Sequence, residues 1–357
     1  MSEISKPKLT PLESLSLLLI IASTLLKSLF TLIAAPFRGD TGNKDYRRHV
    51  AHTALRTMNG QATAKQLQAI NLSTNEAYAS FIKTRNMRPV IVSLPTTSGN
   101  ILWIGNPRAS KVLILLGGGF VYPANSHFQY YWELRRQSGL ESSLSIAFLS
   151  YSLAPDSQYP TQLAEAVDLL RYLIEKRQKE PDNIIISGDS AGANLGLGII
   201  SHLLHPHPSI LPLKLSSPIG GLALISPWVT LQTSAKSSRS NALRDVVSKE
   251  VLNKWGSYVL GGAALDEYNA PLAAQPTWWK DIQTVVHNIL LTGGRNEVIF
   301  DDIQEFEGKI KESARDMQVV FTDETHDQPL LDPQFGIKKE CESSKVFKSW
   351  VTSIYRR

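Results

Sequence analysis

Residues 183–204 read NIIISGDSAGANLGLGIISHLL. Ile184, Ile185 and Ile186 form a β-branched run that leads into Gly188-Asp189-Ser190-Ala191-Gly192, and an apolar helical stretch follows at once. A sharp strand-to-helix turn holds the residue at its apex in a strained backbone conformation and needs small neighbours. Gly188, Ala191 and Gly192 meet that need. Ser190 then stands at a helix N-terminus, where developing negative charge is favoured. Gly-x-Ser-x-Gly alone is a common pattern; the strand before it and the helix after it give it weight.

Outward from this turn, short β-rich runs recur. They are PVIVSLP (89–95), NILWIG (100–105), KVLILLGGG (111–119), SIAFLSYS (145–152), GLALIS (221–226), NILLTG (288–293) and MQVVFTD (317–323). Residues 45–85 read as helical. Residues 162–179 carry a helical stripe through Leu163, Ala166, Val167, Leu170, Leu173 and Ile174, ending before Pro181. Strands alternating with helices imply a parallel sheet covered on both faces. Residues 230–285 exceed a simple crossover and hold Trp255, Tyr258, Trp278 and Trp279. They read as an insertion over the C-terminal edge of the sheet, where open α/β folds bind ligands.

The chain has 357 residues, 43% apolar and 19% charged, with a net charge of +5, enough for a sizeable globular core. Its basic residues are scattered rather than striped with aromatics, so no nucleic-acid partner is expected. The single cysteine, Cys341, has no internal disulfide partner. His202, His205 and His207 lack a glutamate in metalloprotease-like spacing. Neither a metal nor a cofactor is expected.

Residues 14–37, SLSLLLIIASTLLKSLFTLIAAPF, are interrupted only by Lys27. Leu15, Leu18, Leu19, Ala22, Leu25, Leu26, Leu29, Phe30 and Ile33 fall on one helical stripe. Three readings stand open: a membrane-associated or spanning anchor, a helix covering an apolar pocket, and a cleaved signal. The segmentation is 1–38 as a hydrophobic N-terminal helix, 39–88 as a helical cap segment, and 89–357 as the main domain with its insertion at about 230–285. The expected location is intracellular, with membrane association, for example at the endoplasmic reticulum, through residues 14–37.

Three glycines, Gly117 to Gly119, follow the buried run 111–116 and expose backbone amides toward a ligand. Together with YSLAPDSQYP (151–160) and GDSAG (188–192), the loop GGGF resembles the hormone-sensitive-lipase-like branch of the α/β-hydrolases. The N-terminal part and LISPWVTLQTSAKSSRSNA (224–242) look like fungal members of that branch, several of which belong to natural-product pathways. The resemblance implies a mostly parallel eight-stranded sheet with helices on both faces and a helical cap. It also implies oxyanion donors at Gly118, Gly119 and Ala191. Leu116 stands where the family usually has histidine.

In this fold the triad partners follow the serine in the order acid, then histidine. His326, in FTDETHDQPLLDP (321–333), occupies the histidine position. The acid belongs after NILLTG, where relatives often read Gly-Gly-Asp-Glu-Val; this chain reads Gly294-Arg295-Asn296-Glu297-Val298. An amide at Asn296 orients an imidazole but does not stabilise imidazolium. Either Glu297 acts as a displaced acid, or Asn296 serves directly, or the site is a relic used for binding. Asp301 and Asp302 lie too far along the next helix. Three functions follow: cleavage of a carboxylic ester of a hydrophobic small molecule, a condensation or cyclisation in the same pocket, or ligand binding alone.

Overall fold

The computed structural model describes residues 6–356; residues 1–5, at the start of the N-terminal segment, and Arg357 lie outside it. The eight strands are β1 (Ile91–Ser93), β2 (Asn100–Ile104), β3 (Lys111–Leu116), β4 (Leu144–Ser150), β5 (Ile184–Asp189), β6 (Ile219–Ile225), β7 (Val286–Gly294) and β8 (Met317–Thr322). They form one sheet in the order β1-β2-β4-β3-β5-β6-β7-β8. The β1–β2 and β2–β4 pairs are antiparallel, and every pair from β4–β3 onward is parallel. The central strands are continuous apolar runs because both of their faces are covered. All six residues of β5 are buried.

The helices are α1 (Pro11–Ala34), α2 (Tyr46–Gln61), α3 (Ala64–Ile70), α4 (Thr74–Lys83), α5 (His127–Gln137), α6 (Thr161–Arg171), α7 (Ala191–Leu204), α8 (Ser237–Ser240), α9 (Lys249–Leu260), α10 (Phe300–Ile310), α11 (Gln328–Leu331) and α12 (Glu342–Arg356). One face of the sheet packs on α6, α7 and α10. The other packs on α4, α5 and α12, through residues such as Phe128, Tyr131, Phe347 and Trp350. The insertion contains α8 and α9, followed by short turns. Only Trp255 of its four named aromatics turns toward the cleft above the sheet. Trp278 instead packs on His205, with ring centroids 3.9 Å apart, and Trp279 on Phe306 at 5.7 Å.

The N-terminal helices cross over this insertion. Lys254 on α9 donates to the carbonyls of Asn59 at 2.9 Å and Ala62 at 3.1 Å. Arg48 on α2 forms a two-pronged pair with Asp332, at 2.7 and 2.6 Å. Helix α1 packs on α2 by an unexpected face. Its buried residues are Leu17, Ile20 and Thr24, while the leucine stripe points outward: Leu18 is 63%, Leu25 65% and Phe30 73% exposed. Polar contacts hold the inner side. Glu13 pairs with Lys65 at 2.7 Å, its carbonyl accepts from Gln66 at 2.9 Å, and Ser23 accepts from Gln61 at 3.3 Å. The stripe therefore covers no pocket of the described chain.

Candidate active site

The strand register carries three turns to one edge. The turn after β5 holds Ser190, the turn after β7 holds Glu297, and the loop after β8 holds His326. Because Gly294 pairs with Thr322, β7 and β8 end side by side and the last two turns are neighbours.

Ser190 sits at φ 49°, ψ −113°, the apex of the strand-to-helix turn. Such a backbone costs roughly 1–3 kcal/mol and persists only when its surroundings enforce it. Here they do: the Ser190 amide donates to Ile225 O at 2.9 Å, and its carbonyl accepts from Trp228 at 3.1 Å. A Cβ on Gly192 would lie 1.8 Å from Leu116 O, so α7 could not approach the glycine loop with any side chain there.

His326 joins the two partners. Its Nε2 lies 2.9 Å from Ser190 Oγ, and its Nδ1 lies 2.9 Å from Glu297 Oε2. The carboxylate holds the proton on Nδ1, which leaves Nε2 to accept from the serine. Glu297 is fully buried; its other oxygen accepts from Ser226 Oγ at 2.8 Å and from the Gly294 amide. A Cβ on Gly294 would lie 2.2 Å from Glu324 O and 3.2 Å from Glu297 Oε1, so only glycine lets the acid fold back over the turn.

Asn296 is not brought to the imidazole. Its Nδ2 donates to Asp323 O at 2.8 Å and its Oδ1 accepts from Arg244 at 3.3 Å. The residue that matches the family's aspartate is therefore displaced by the next one along, because the tight turn at Gly294 directs Glu297, not Asn296, inward. Asp301 and Asp302 bond to Ser237 and Thr233 of the insertion, away from His326.

The glycine loop also departs from expectation at one position. The Gly118 amide donates to Asp189 Oδ2 at 2.9 Å, so it is already engaged. Among the described residues, no bond engages the amides of Gly119 and Ala191, and Gly119 lines the cleft beside Ser190. Asp189 is held from behind by His127 Nε2 at 3.0 Å. Asp189, the residue before the serine in GDSAG, thus organises the loop, a role that the motif leaves unspecified.

Burial opposes a charged imidazole at His326, but the carboxylates of Asp327, Glu297 and Asp245 outweigh it and hold its pKa up, to about 10. Asp327 Oδ2 stands 3.4 Å from Nε2. Burial pushes the Asp327 carboxyl well above the usual range, against the pull of His326. Ser226, Asp327, Asp245 and His127 are the contributors that sequence patterns did not single out. Asp189 and Asp327, as neighbours of Ser190 and His326 in the chain, were the ones within reach of such reading.

The cleft above these groups measures about 990 Å³ including its open mouth. Trp228, Trp255, Val246, Leu252 and Leu330 give it apolar walls, with Leu55 and Asn59 of α2 on one side.

Comparison with known proteins follows the same lines. A family model described as an alpha/beta hydrolase fold matches residues 112–328, a stretch that includes GGGF, GDSAG and His326. Over 216 residues the chain is 27% identical to an esterase of Acinetobacter venetianus, covering 60% of this chain and 65% of that protein. Over 191 residues it is 27% identical to the arylacetamide deacetylase of Oryctolagus cuniculus, covering 52% of this chain and 45% of that one. The matches thus span about half to two thirds of these relatives' lengths. Among solved structures, an esterase from the bacterial hormone-sensitive lipase (HSL) family superposes with a TM-score of 0.64 at 19% identity, over 88% of this chain and 98% of that one. At that identity the likeness is one of fold.

Proposed function

The chain belongs to the α/β-hydrolase family, and from that premise we propose that it hydrolyses carboxylic esters with Ser190 as nucleophile, His326 as general base and Glu297 as the acid. The observation that carries this reading is the unbroken chain Ser190–His326–Glu297, with 2.9 Å at each link, on the floor of an apolar cleft. Ser190 Oγ attacks the acyl carbonyl while His326 Nε2 takes its proton. The amides of Gly119 and Ala191 stabilise the oxyanion, each such donor being worth about 10²–10³ in rate. His326 then protonates the departing alkoxide and activates the water that releases the acid. Glu297 stabilises the imidazolium throughout.

The apolar walls support a hydrophobic small-molecule ester, and the arylacetamide deacetylase among the relatives supports acetyl as its acyl group. A place in fungal natural-product metabolism rests only on the sequence resemblance. Condensation or cyclisation drew its support from a neutral residue facing the imidazole; a carboxylate stands there instead. The pure binding reading has no observation in its favour while Ser190 and His326 remain in contact.

The test is reaction with a fluorophosphonate probe, followed by mass spectrometry of the peptide holding Ser190. An adduct on Ser190 is expected; an unlabelled serine in folded protein would sink the hydrolase reading.

Membrane association is part of the same proposal. The segment Pro11–Phe37 is long and apolar enough, by length and composition, to cross a bilayer. Its inner side, with Leu17, Ile20 and Thr24 buried, is bound to α2 and α3, and the stripe through Leu18, Leu25 and Phe30 faces away from the body. This arrangement suits a helix lying in the membrane surface better than one that leaves the body to span. Flotation with liposomes of mixed neutral and anionic lipid should carry the full chain upward and leave a Leu18→Glu/Leu25→Glu variant behind. Equal flotation of both would remove this face as the contact.

A further inference from the structure

The acid turn and the histidine loop leave the paired strands β7 and β8 and meet directly through Arg295 N to Thr322 O at 2.7 Å and Asn296 N to Glu324 O at 3.1 Å, bonds that stop short of Glu297 and His326 themselves. A segment of the insertion, Asn241–Asp245, grips both. Asn241 Nδ2 donates to Arg295 O at 2.9 Å and to Glu297 O at 2.8 Å. Arg244 donates to Asn296 Oδ1 at 3.3 Å. Asp245 is fully buried, and three backbone amides converge on its carboxylate. Oδ1 accepts from Val246 at 2.8 Å and from His326 itself at 2.9 Å; Oδ2 accepts from Val298, the neighbour of Glu297, at 2.7 Å.

We propose that Asp245 is a positioning residue: a buried carboxylate, supplied by the insertion, that clips the acid turn to the histidine loop and fixes Glu297 against His326. The inference rests on the hydrolase reading above. The chemistry of the donors argues for a carboxylate. Three N–H groups demand an acceptor on both oxygens, which an ionised Asp offers and Asn does not. An uncharged link between two loops would be cheaper to bury. The charge has a second use, because it lies where the imidazolium forms and adds to the field of Glu297. Burial raises the Asp245 carboxyl to about 6, partly countered by His326, so the clip is ionised in neutral and alkaline solution. Helix α2 braces the segment from the outer side, with Arg56 donating to Asp245 O and His52 bonded to Arg244 O at 2.9 Å. The cap is therefore coupled to the triad and does more than wall the cleft.

Asp245→Asn removes the charge and turns an N–H group toward Val298. Full-length wild type and variant are compared on a short p-nitrophenyl ester from pH 5 to 10, with kcat and KM separated and thermal melting alongside. The expected result is a fall in kcat of about 10²-fold, as for a small misplacement of reacting groups, with KM within about 2-fold. The acid limb of kcat/KM should also move to lower pH, because one of the carboxylates facing the imidazole is gone while Glu297 and Asp327 remain, with Asp189 behind them. Asn241→Ala, which loosens the same grip without changing charge, should lower kcat and leave the limb in place. Wild-type kcat and pH profile in Asp245→Asn, with only a lower melting temperature, would overturn the proposal. If that variant does not fold, an unchanged kcat in Asn241→Ala overturns it. Failure of the wild type to hydrolyse esters or react with fluorophosphonate would overturn the hydrolase reading instead, and this inference with it.

Discussion

The turn that carries Ser190 and the turn that carries Glu297 stand at one sheet edge with β6 between their strands, yet they are built by opposite means. The first is local. A buried strand, a strained apex and a helix follow one another within residues 184–204, and the distant requirements are few: close approach to Leu116 and the backbone bonds of Ser190 to Ile225 and Trp228. The second is assembled from afar. Ser226, Asn241, Arg244 and Asp245 reach it across more than fifty residues of sequence, and Asp323 and Glu324 meet it from the next strand end. A local turn tolerates drift in its surroundings. An assembled one transmits every change in the insertion to the catalytic geometry.

The largest effect that tests this contrast is at the local turn. Ser190→Ala should reduce kcat by about 10⁶-fold, as removing the nucleophile of a serine triad does, with the melting temperature little changed; measurable burst kinetics in that variant would show another nucleophile. Next comes the glycine that lets the assembled turn close. Gly294→Ala places a methyl against Glu324 O and Glu297, and should cost about 10²-fold in kcat together with stability, read from ester turnover and melting. The smallest effect is in pH. His326 must be neutral to accept from Ser190, and its pKa is raised, so kcat/KM should climb through an acid limb well above 6.5. Asp327→Asn should bring that limb down. An unmoved limb would mean that the carboxylate facing Nε2 does not act on the imidazole.

The same contrast explains what was legible in the sequence. All eight strands, and the meeting of Ser190 with His326 at one sheet edge, could be read because periodicity and chain order specify them. The acid was ambiguous by one position, since two adjacent polar residues follow Arg295 and sequence alone does not say which points inward. The steric demand at Gly294 turns Glu297, not Asn296, toward His326. A glycine loop reads as free donors at Gly118 and Gly119 and does not reveal that Asp189 uses the Gly118 amide. Asp245 could not be found at all: its role exists only once the insertion folds back on the sheet. The aromatic content of the insertion misled in the same way, with Trp278 and Trp279 serving its own packing rather than the cleft.

The most direct measurement compares Glu297→Gln with Asn296→Ala by kcat on a short p-nitrophenyl ester. With Glu297 as the acid, Glu297→Gln should lose about 10³–10⁴-fold, and Asn296→Ala, which loses only its links to Arg244 and Asp323 O, less than about 10-fold. Full activity in Glu297→Gln with a collapse in Asn296→Ala would contradict the account.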